Sequence, residues 1–209
     1  MIIEQIQIGG FEIFCYALGD EKTGVGIIID PGGPAGPILN RARGRGIKQI
    51  THIVNTHSHV DHVSGNKELK EATSAAIAIH ELEAPELAHP NLGMLAMFGA
   101  EPSPPPDILL NDGDSIFFGN ESVRVIHTPG HTRGGISLYF NGHVITGDTL
   151  FVGGVGRTDL PGGSYDILQE TIKHKLFTLP DDTVVLPGHN YGVTPTSTIG
   201  REKRENVFI

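Results

Sequence analysis

A short stretch of the 209-residue sequence, NTHSHVDHVSG beginning at Asn55, concentrates side chains that bind metal ions. His57, His59, Asp61 and His62 fall within six positions, directly after an apolar and β-branched run. Residues two apart in an extended chain point to the same side, so His57 and His59 are expected to converge on one point. Asp61 and His62 follow where the chain must turn, and they can address a second, adjacent point.

Three further stretches share one form, in which an apolar strand runs into a ligand-type residue flanked by glycine. They are VRVIHTPGHT with His131, HVITGDTLF with Asp148 and TVVLPGHNY with His189. Functional groups are often found on such loops, because the sheet below supports them. Together with the first stretch they supply five histidines and two aspartates, a donor set of nitrogen and oxygen without sulfur.

This donor set predicts a pair of metal ions. Seven donors exceed the three or four protein ligands of one tetrahedral zinc ion. They suit two divalent cations that share a carboxylate and keep positions open for water, which is the arrangement of a hydrolytic centre. Zinc is favoured, and iron or manganese is compatible with the same donors. The alternatives are a closed structural metal site and a non-catalytic metal-binding protein.

The elements that must position these donors are predicted to be short. The 28 glycines and 14 prolines favour many tight turns. We predict turns at Gly9-Gly10, Gly119-Asn120 and Asn141-Gly142. Apolar periodicity predicts strands over 2–8, 11–18, 25–29, 50–55, 75–79, 115–118, 122–127, 136–140, 144–146 and 183–186, and helices over 36–45, 63–72, 81–88, 92–98 and 165–178.

This order of elements predicts an α/β fold of one domain over residues 1–209. Many short strands in both halves, with helices between and around them, favour two packed sheets covered by helices in four layers. The PSPPPD segment at 102–107 is interpreted as a stiff surface connector, because successive prolines lack backbone donors. The basic clusters at 41–48 and 201–204 are interpreted as solvated helix faces or a soluble tail.

The composition and net charge of the chain indicate which classes of binding partner are expected. A net charge of −9 and a pI of about 5.6 argue against nucleic acid and anionic membrane surfaces as partners. No run of about 18 apolar residues is present, and the N-terminal segment does not resemble an export signal. Cys15 is the single cysteine, which excludes an internal disulfide. We expect a cytoplasmic protein with a small-molecule substrate, and an oligomer is compatible with the sequence.

The order and spacing of the donor motifs resemble the metallo-β-lactamase superfamily over nearly the whole chain. The resemblance implies an αββα sandwich of two mixed β-sheets flanked by helices, with the site at one edge of the sheets. It also implies an assignment in which Asp148 bridges two cations and Asp61 orients the attacking hydroxide. One cation is then assigned to His57, His59 and His131, and the other to Asp61, His62 and His189.

Within the superfamily, GGVGRTDLPGGS at 153–164 and the later PGHNYG resemble glyoxalase II-like thioester hydrolases of the short prokaryotic branch. The resemblance implies cleavage of a small anionic thiol ester of the hydroxyacylglutathione type. We expect Arg157 and Tyr191 to contact the substrate, and a structural salt bridge is the alternative for Arg157. Two departures from glyoxalase II argue against specificity for glutathione. Only 20 residues follow His189, where that family has a C-terminal helical domain that helps to hold glutathione, and Thr158 and Asp159 stand where it has a tyrosine.

Other reactions remain as alternatives. The GRTD stretch also resembles persulfide dioxygenases, which use a single iron. Those enzymes often have alanine before their last histidine, whereas this chain has Gly188 before His189, which favours hydrolysis. Asp148, where β-lactamases have cysteine or serine, argues against β-lactam cleavage. A lactone or phosphodiester hydrolase would use the same cations.

The remaining histidines are predicted to lie outside the metal set. His127 is expected to support the site through a hydrogen bond or to be merely buried. Five others are interpreted as structural or exposed, namely His52, His80, His89, His143 and His174. Cys15 is expected to be a small buried residue in a strand.

Overall fold

The computed structural model describes residues 1–9 and 11–209, so Gly10 of the predicted Gly9-Gly10 turn lies outside the described residues. The first of two large sheets contains six strands in chain order, antiparallel from β1 to β3 and parallel from β3 to β6. These strands are β1 Ile2–Ile8, β2 Ile13–Gly19, β3 Val25–Ile29, β4 Gln49–Val54, β5 Ala76–His80 and β6 Ile108–Leu110.

The second large sheet also contains six strands. They are β7 Ser115–Phe118, β8 Glu121–His127, β9 Ile136–Phe140, β10 His143–Gly147, β13 Val184–Pro187 and β14 Ser197–Thr198. Their spatial order is β14-β13-β10-β9-β8-β7, and only the β10-β13 pair among them is parallel. A separate two-stranded ribbon pairs β11 Leu150–Phe151 with β12 Gly154–Val155.

The helices are short, and their ends have local causes. They are α1 Ala35–Gly44, α2 Val60–Val63, α3 Asn66–Thr73, α4 Ala84–Ala88, α5 Leu92–Phe98, α6 Tyr165–His174 and α7 Ile199–Glu205, with a 3-10 turn at Leu176–Thr178. The Ser164 side chain caps α6 by accepting a hydrogen bond from the Ile167 amide. Gly99, with φ of 58°, ends α5 in the left-handed conformation.

Three apolar layers hold four structural layers together. In β2, Ile13, Cys15 and Ala17 pack with α1 and α3, whereas Tyr16 and Leu18 pack against the second sheet. This alternation follows from the two-residue repeat of a strand whose faces are both covered. The third layer joins the second sheet to α6 and α7. The predicted four-layer αββα sandwich is therefore confirmed, and Cys15 is buried as predicted.

Several predicted helices have different bounds. The helix predicted over 63–72 is wrong as one element, because Gly65 separates α2 from α3 and donates its amide to the Pro31 carbonyl. A Cβ at Gly65 would lie 2.2 Å from the Gly33 carbonyl oxygen, so this close approach requires glycine. The helix predicted over 81–88 begins only at Ala84, and the one over 165–178 breaks at Lys175.

Some elements were not predicted. These are β6, the β11-β12 ribbon and β14, which are too short to show a clear apolar period, and α7, whose sequence IGREKRE is mostly charged. The basic cluster at 201–204 lies on α7, where Arg201 pairs with Glu205, in agreement with a solvated helix face. Along residues 1–9 and 11–209, no helix has both the length and the apolar character needed to cross a bilayer.

Candidate metal centre

The seven predicted donors converge at one edge of the sandwich. The loop after β4 carries His57 and His59, and α2, which follows it directly, carries the next two donors. The segments that follow β8, β10 and β13 carry the remaining three. The structure thus brings together every side chain of the predicted set, namely His57, His59, Asp61, His62, His131, Asp148 and His189.

Three imidazoles form what we call the first group: His57, His59 and His131. His59 Nδ1 lies 3.1 Å from His57 Nε2 and 2.9 Å from His131 Nε2. Ligand nitrogens at 2.0–2.1 Å around a tetrahedral zinc ion are separated by about 3.3 Å. The first group therefore has nearly the spacing of three ligands to one cation.

A carboxylate and two imidazoles form the second group: Asp61, His62 and His189. The two Nε2 atoms of His62 and His189 are 3.2 Å apart. Asp61 Oδ2 lies 3.5 Å from His189 Nε2 and 3.8 Å from His62 Nε2. This spacing is slightly wider than in the first group, and it also suits a single divalent cation.

Asp148 lies between the two groups. Its Oδ2 is 3.5 Å from His131 Nε2 and 3.4 Å from His189 Nε2, and its Oδ1 is 3.3 Å from His62 Nε2. Oδ1 is buried and has no hydrogen-bond partner among the described residues. A buried carboxylate oxygen without a partner is costly, and a shared cation would satisfy it. The position of Asp148 therefore fits a bridging ligand.

Outer hydrogen bonds fix the orientation of the imidazoles. His131 Nδ1 donates to the Arg157 carbonyl at 2.7 Å, and His189 Nδ1 donates to the Phe11 carbonyl at 2.8 Å. Because a carbonyl oxygen can only accept, each Nδ1 carries a proton. This tautomer directs Nε2 to the interior of the site as the nitrogen available to bind a metal ion.

Asp30 is a functional residue that the sequence reasoning missed. It is 1% exposed and lies directly after β3, with a positive φ of 49°. Its Oδ2 accepts from Thr56 Oγ1 at 2.7 Å and lies 3.1 Å from His62 Nδ1, which donates to it. Because the Thr56 hydroxyl donates to Asp30, it can accept from His57 Nδ1 at 3.1 Å. The signal in the sequence was DPGG at a strand end.

Burial and carboxylate charge act in opposite directions on three of the imidazoles. Burial lowers the pKa of His57 well below its ordinary value, and burial lowers the pKa of His59 to about 4. For His62, burial opposes protonation, but the carboxylates of Asp148, Asp61 and Asp30 outweigh it and hold its pKa well above the ordinary value. A divalent cation would replace that proton, so metal binding is expected to release it.

The two residues expected to contact substrate lie beside the donors. The Tyr191 ring stacks on His189 with centroids 4.6 Å apart and is 57% exposed. Burial and the carboxylates of Asp148 and Asp61 raise the pKa of Tyr191, so its hydroxyl keeps its proton. Arg157 carries the carbonyl that holds His131, and its exposed guanidinium forms two 2.7 Å hydrogen bonds with Asp159.

His127 supports the site indirectly. Its Nε2 donates to the Arg133 carbonyl at 2.9 Å, on the loop that carries His131, and its ring stacks on His80 with centroids 4.3 Å apart. The predicted hydrogen bond therefore exists, although it reaches the loop backbone rather than a ligand ring. The other histidines outside the set contact none of the seven donors by hydrogen bond, within the ranges 1–9 and 11–209.

The chain is similar over nearly its whole length to a named hydrolase and to two solved structures. Hydroxyacylglutathione hydrolase GloC of Haemophilus influenzae is 32% identical over 223 residues, which cover 100% of this chain and 98% of that protein. The crystal structure of ETHE1 from Myxococcus xanthus has a TM-score of 0.81 and 31% identity, covering 99% of this chain and 84% of that one. The crystal structure of BLEG-1 B3 metallo-beta-lactamase has a TM-score of 0.88 and 31% identity, covering 99% of each chain.

A family model gives the widest assignment. The model of the metallo-beta-lactamase superfamily matches residues 8–189, which contain all seven donors and every strand of the two large sheets except β1 and β14. The match agrees with the αββα layers and with the position of the donors at one edge of the sheets. The chain belongs to the metallo-beta-lactamase superfamily.

Proposed function

We propose that this protein is a hydrolase with two divalent cations that cleaves thioesters of small anionic thiols. The observation that carries the proposal is the position of Asp148, whose carboxylate lies between two donor groups and has a buried oxygen without a hydrogen-bond partner. A closed structural site would leave no room for water, whereas seven donors shared by two cations leave coordination positions open.

The chain would hold one cation with the first group and the other with the second group, and Asp148 would contact both. Nitrogen and oxygen donors without sulfur favour zinc, and iron or manganese would fit the same set. When bound, the cations supply positive charge that lowers the pKa of water and stabilises an oxyanion. Orientation of the water and binding of the substrate would depend on side chains of this chain.

Asp61 is placed to orient the attacking water. Its side chain is 20% exposed, whereas those of His62 and His189 are almost fully buried, so Asp61 lies on the solvent side of the second group. A carboxylate oxygen there accepts a hydrogen bond from water and directs its lone pair toward the substrate carbonyl. The leaving thiol has a pKa of about 8.5, so it departs as a thiolate with little need for a general acid.

Arg157 and Tyr191 would bind the anionic part of the substrate. Tyr191 offers a protonated hydroxyl beside His189, and Arg157, whose backbone carbonyl accepts from His131 Nδ1, offers an exposed guanidinium. The side chains of Arg157 and Asp159 are 61% and 67% exposed, so solvent screens their pair and it contributes little to stability. Exchange of Asp159 for a substrate carboxylate therefore costs little.

The similarity to GloC, which matches this chain over its whole length, supports thioester hydrolysis. The similarity to ETHE1, whose relative in Homo sapiens is named a persulfide dioxygenase, supports a second candidate, a persulfide dioxygenase with one iron. The neighbouring B3 metallo-beta-lactamase makes a β-lactam a necessary member of any substrate panel.

The test is elemental analysis of the purified protein, combined with assays before and after removal of metal by a chelator. We expect two zinc-like ions per chain and cleavage of glutathione thioesters that is lost on chelation and restored by Zn²⁺. The panel also contains a lactone, a β-lactam, a phosphodiester and glutathione persulfide with an oxygen electrode. One iron per chain with oxygen consumption would replace the proposal by the dioxygenase, and faster β-lactam cleavage would replace the substrate class.

A further inference from the structure

Glu83, just after the carboxyl end of β5, has a buried carboxylate at the same edge as the metal centre. The residue is 2% exposed and precedes α4, which begins at Ala84. A buried carboxylate is costly unless several donors replace its water. Its donors come from two separate loops, and both loops carry ligands of the first group.

One oxygen of Glu83 contacts the loop that carries His57 and His59. Oε2 accepts from the Ser58 amide at 2.9 Å and from Ser58 Oγ at 2.6 Å. Ser58 stands between the two histidines, so these bonds fix the peptide that joins them. Hydrogen bonds to an ionised carboxylate are about twice as strong as those between neutral groups.

The other oxygen of Glu83 contacts the loop that carries His131. Oε1 accepts from the Gly134 amide at 2.8 Å. A Cβ at Gly134 would lie 2.8 Å from Glu83 Cγ and 3.0 Å from the Glu83 amide nitrogen, so the contact requires glycine. The two loops are also joined at their base, where the Ile136 amide donates to the Thr56 carbonyl at 2.9 Å.

We propose that Glu83 is a positioning residue of the first group, which keeps His59 Nδ1 and His131 Nε2 at the spacing of ligands to one cation. The inference rests on the metal centre proposed above and not on the choice of substrate. The second group is held differently, since α2 carries Asp61 and His62 and the Phe11 carbonyl holds His189. Loss of Glu83 therefore weakens one metal position and spares the other.

The test is titration of metal-free wild type and Glu83→Gln with Co²⁺, followed by absorption in the d–d region. The amide of the variant has one oxygen, which accepts, and one NH₂ group, which only donates, so either Ser58 or Gly134 faces the NH₂ group. We expect affinity for one of two Co²⁺ equivalents to fall at least about tenfold, with an altered spectrum of that equivalent, while the other is unchanged. Glu81→Gln, an exposed neighbour with the same charge change, is the control and should match wild type.

Gly134→Ala is a second variant that keeps the proposal testable if Glu83→Gln does not fold. It displaces Glu83 from the other side, and we expect the same equivalent to weaken. Equal weakening of both equivalents, or unchanged binding in the variants, would overturn the inference and leave the proposed function intact. Absence of Co²⁺ and Zn²⁺ binding by the wild type would instead overturn the proposed function together with the inference.

Discussion

The first and second groups of donors lie side by side and are built differently. The first has three imidazoles on two loops, which Glu83 joins. The second has two imidazoles and a carboxylate, and a second carboxylate, Asp30, lies behind His62. The second group therefore has two negative charges close to its cation position, whereas the first group consists of imidazoles alone. Because opposite charges attract strongly in a poorly solvated site, the second group is expected to bind its cation more tightly.

The difference shows that closeness in sequence does not define a shared site. His57 and His59 belong to one group, and Asp61 and His62 belong to the other, although all four lie within six residues. The beginning of α2 at Val60 causes the division, because the chain changes from extended to helical between His59 and Asp61. Charge and outer contacts then make the two groups unequal.

Asp148→Asn is expected to have the largest effect, because it changes the residue that both groups share. An amide presents one acceptor and no negative charge, so it cannot replace a bridging carboxylate. We expect bound metal to fall from two ions to at most one per chain, and thioester cleavage to fall at least about a hundredfold. Elemental analysis and steady-state kinetics measure both quantities. Asp159→Asn is the matched control on metal content, and two tightly bound ions in Asp148→Asn would refute a bridging role.

Asp30→Asn is expected to have an intermediate and selective effect. Asparagine tolerates the positive φ at this position, so the backbone is preserved. The carboxylate accepts from the Thr56 amide at Oδ1 and from His62 Nδ1 and Thr56 Oγ1 at Oδ2. An amide has one oxygen, so one of these two sets of donors faces an NH₂ group, and the second-group cation should bind about 10–100-fold more weakly. Co²⁺ titration measures this, and the equivalent that weakens more should differ from the one affected by Glu83→Gln. A smaller change of the other equivalent is expected, because Asp30 also reaches His57 through the Thr56 hydroxyl. If both variants weaken the same equivalent most, the division into two groups is wrong.

Arg157→Ala is expected to have the smallest effect, because this side chain belongs to neither group. We expect two bound ions, an unchanged kcat and an increase of up to about tenfold in KM for an anionic thioester. The melting temperature should change little, because solvent screens the exposed pair of Arg157 and Asp159. Asp159→Asn frees Arg157 and should lower KM, so a matching rise in both variants would exclude a role in substrate binding.

Much of the fold was predictable because strands covered on both faces, such as β3, have a continuous apolar run, and β7 is bounded by clear turn residues. The strands over 25–29, 115–118 and 136–140 have the predicted bounds, and the seven donors lie together because their motifs all follow strands that end at one edge. The turn at Asn141-Gly142 has positive φ at both residues, as the dipeptide predicts. The strand predicted over 11–18 begins later, at Ile13, after Glu12 with φ of 53°.

The residues that hold the donors were not predictable from one sequence. Asp30 and Glu83 act through contacts between segments about 25 residues or more apart, and acidic residues at such positions are usually solvated. The helix boundary at Gly65 also depends on a distant partner, the Pro31 carbonyl. Pattern and propensity report local preference, whereas these positions are set by tertiary contacts.

The contact between His189 and the Phe11 carbonyl has a consequence for folding, because 178 positions of the chain separate its partners. Two backbone hydrogen bonds extend this seam, from the Phe14 amide to the Gly188 carbonyl and from the Asn190 amide to the Glu12 carbonyl, each 2.8 Å long. Closing so long a loop costs conformational entropy before contacts compensate for it, so these hydrogen bonds are expected to form late in folding. Because His189 belongs to the second group, binding of both cations would then require that the N-terminal and C-terminal segments have already come together.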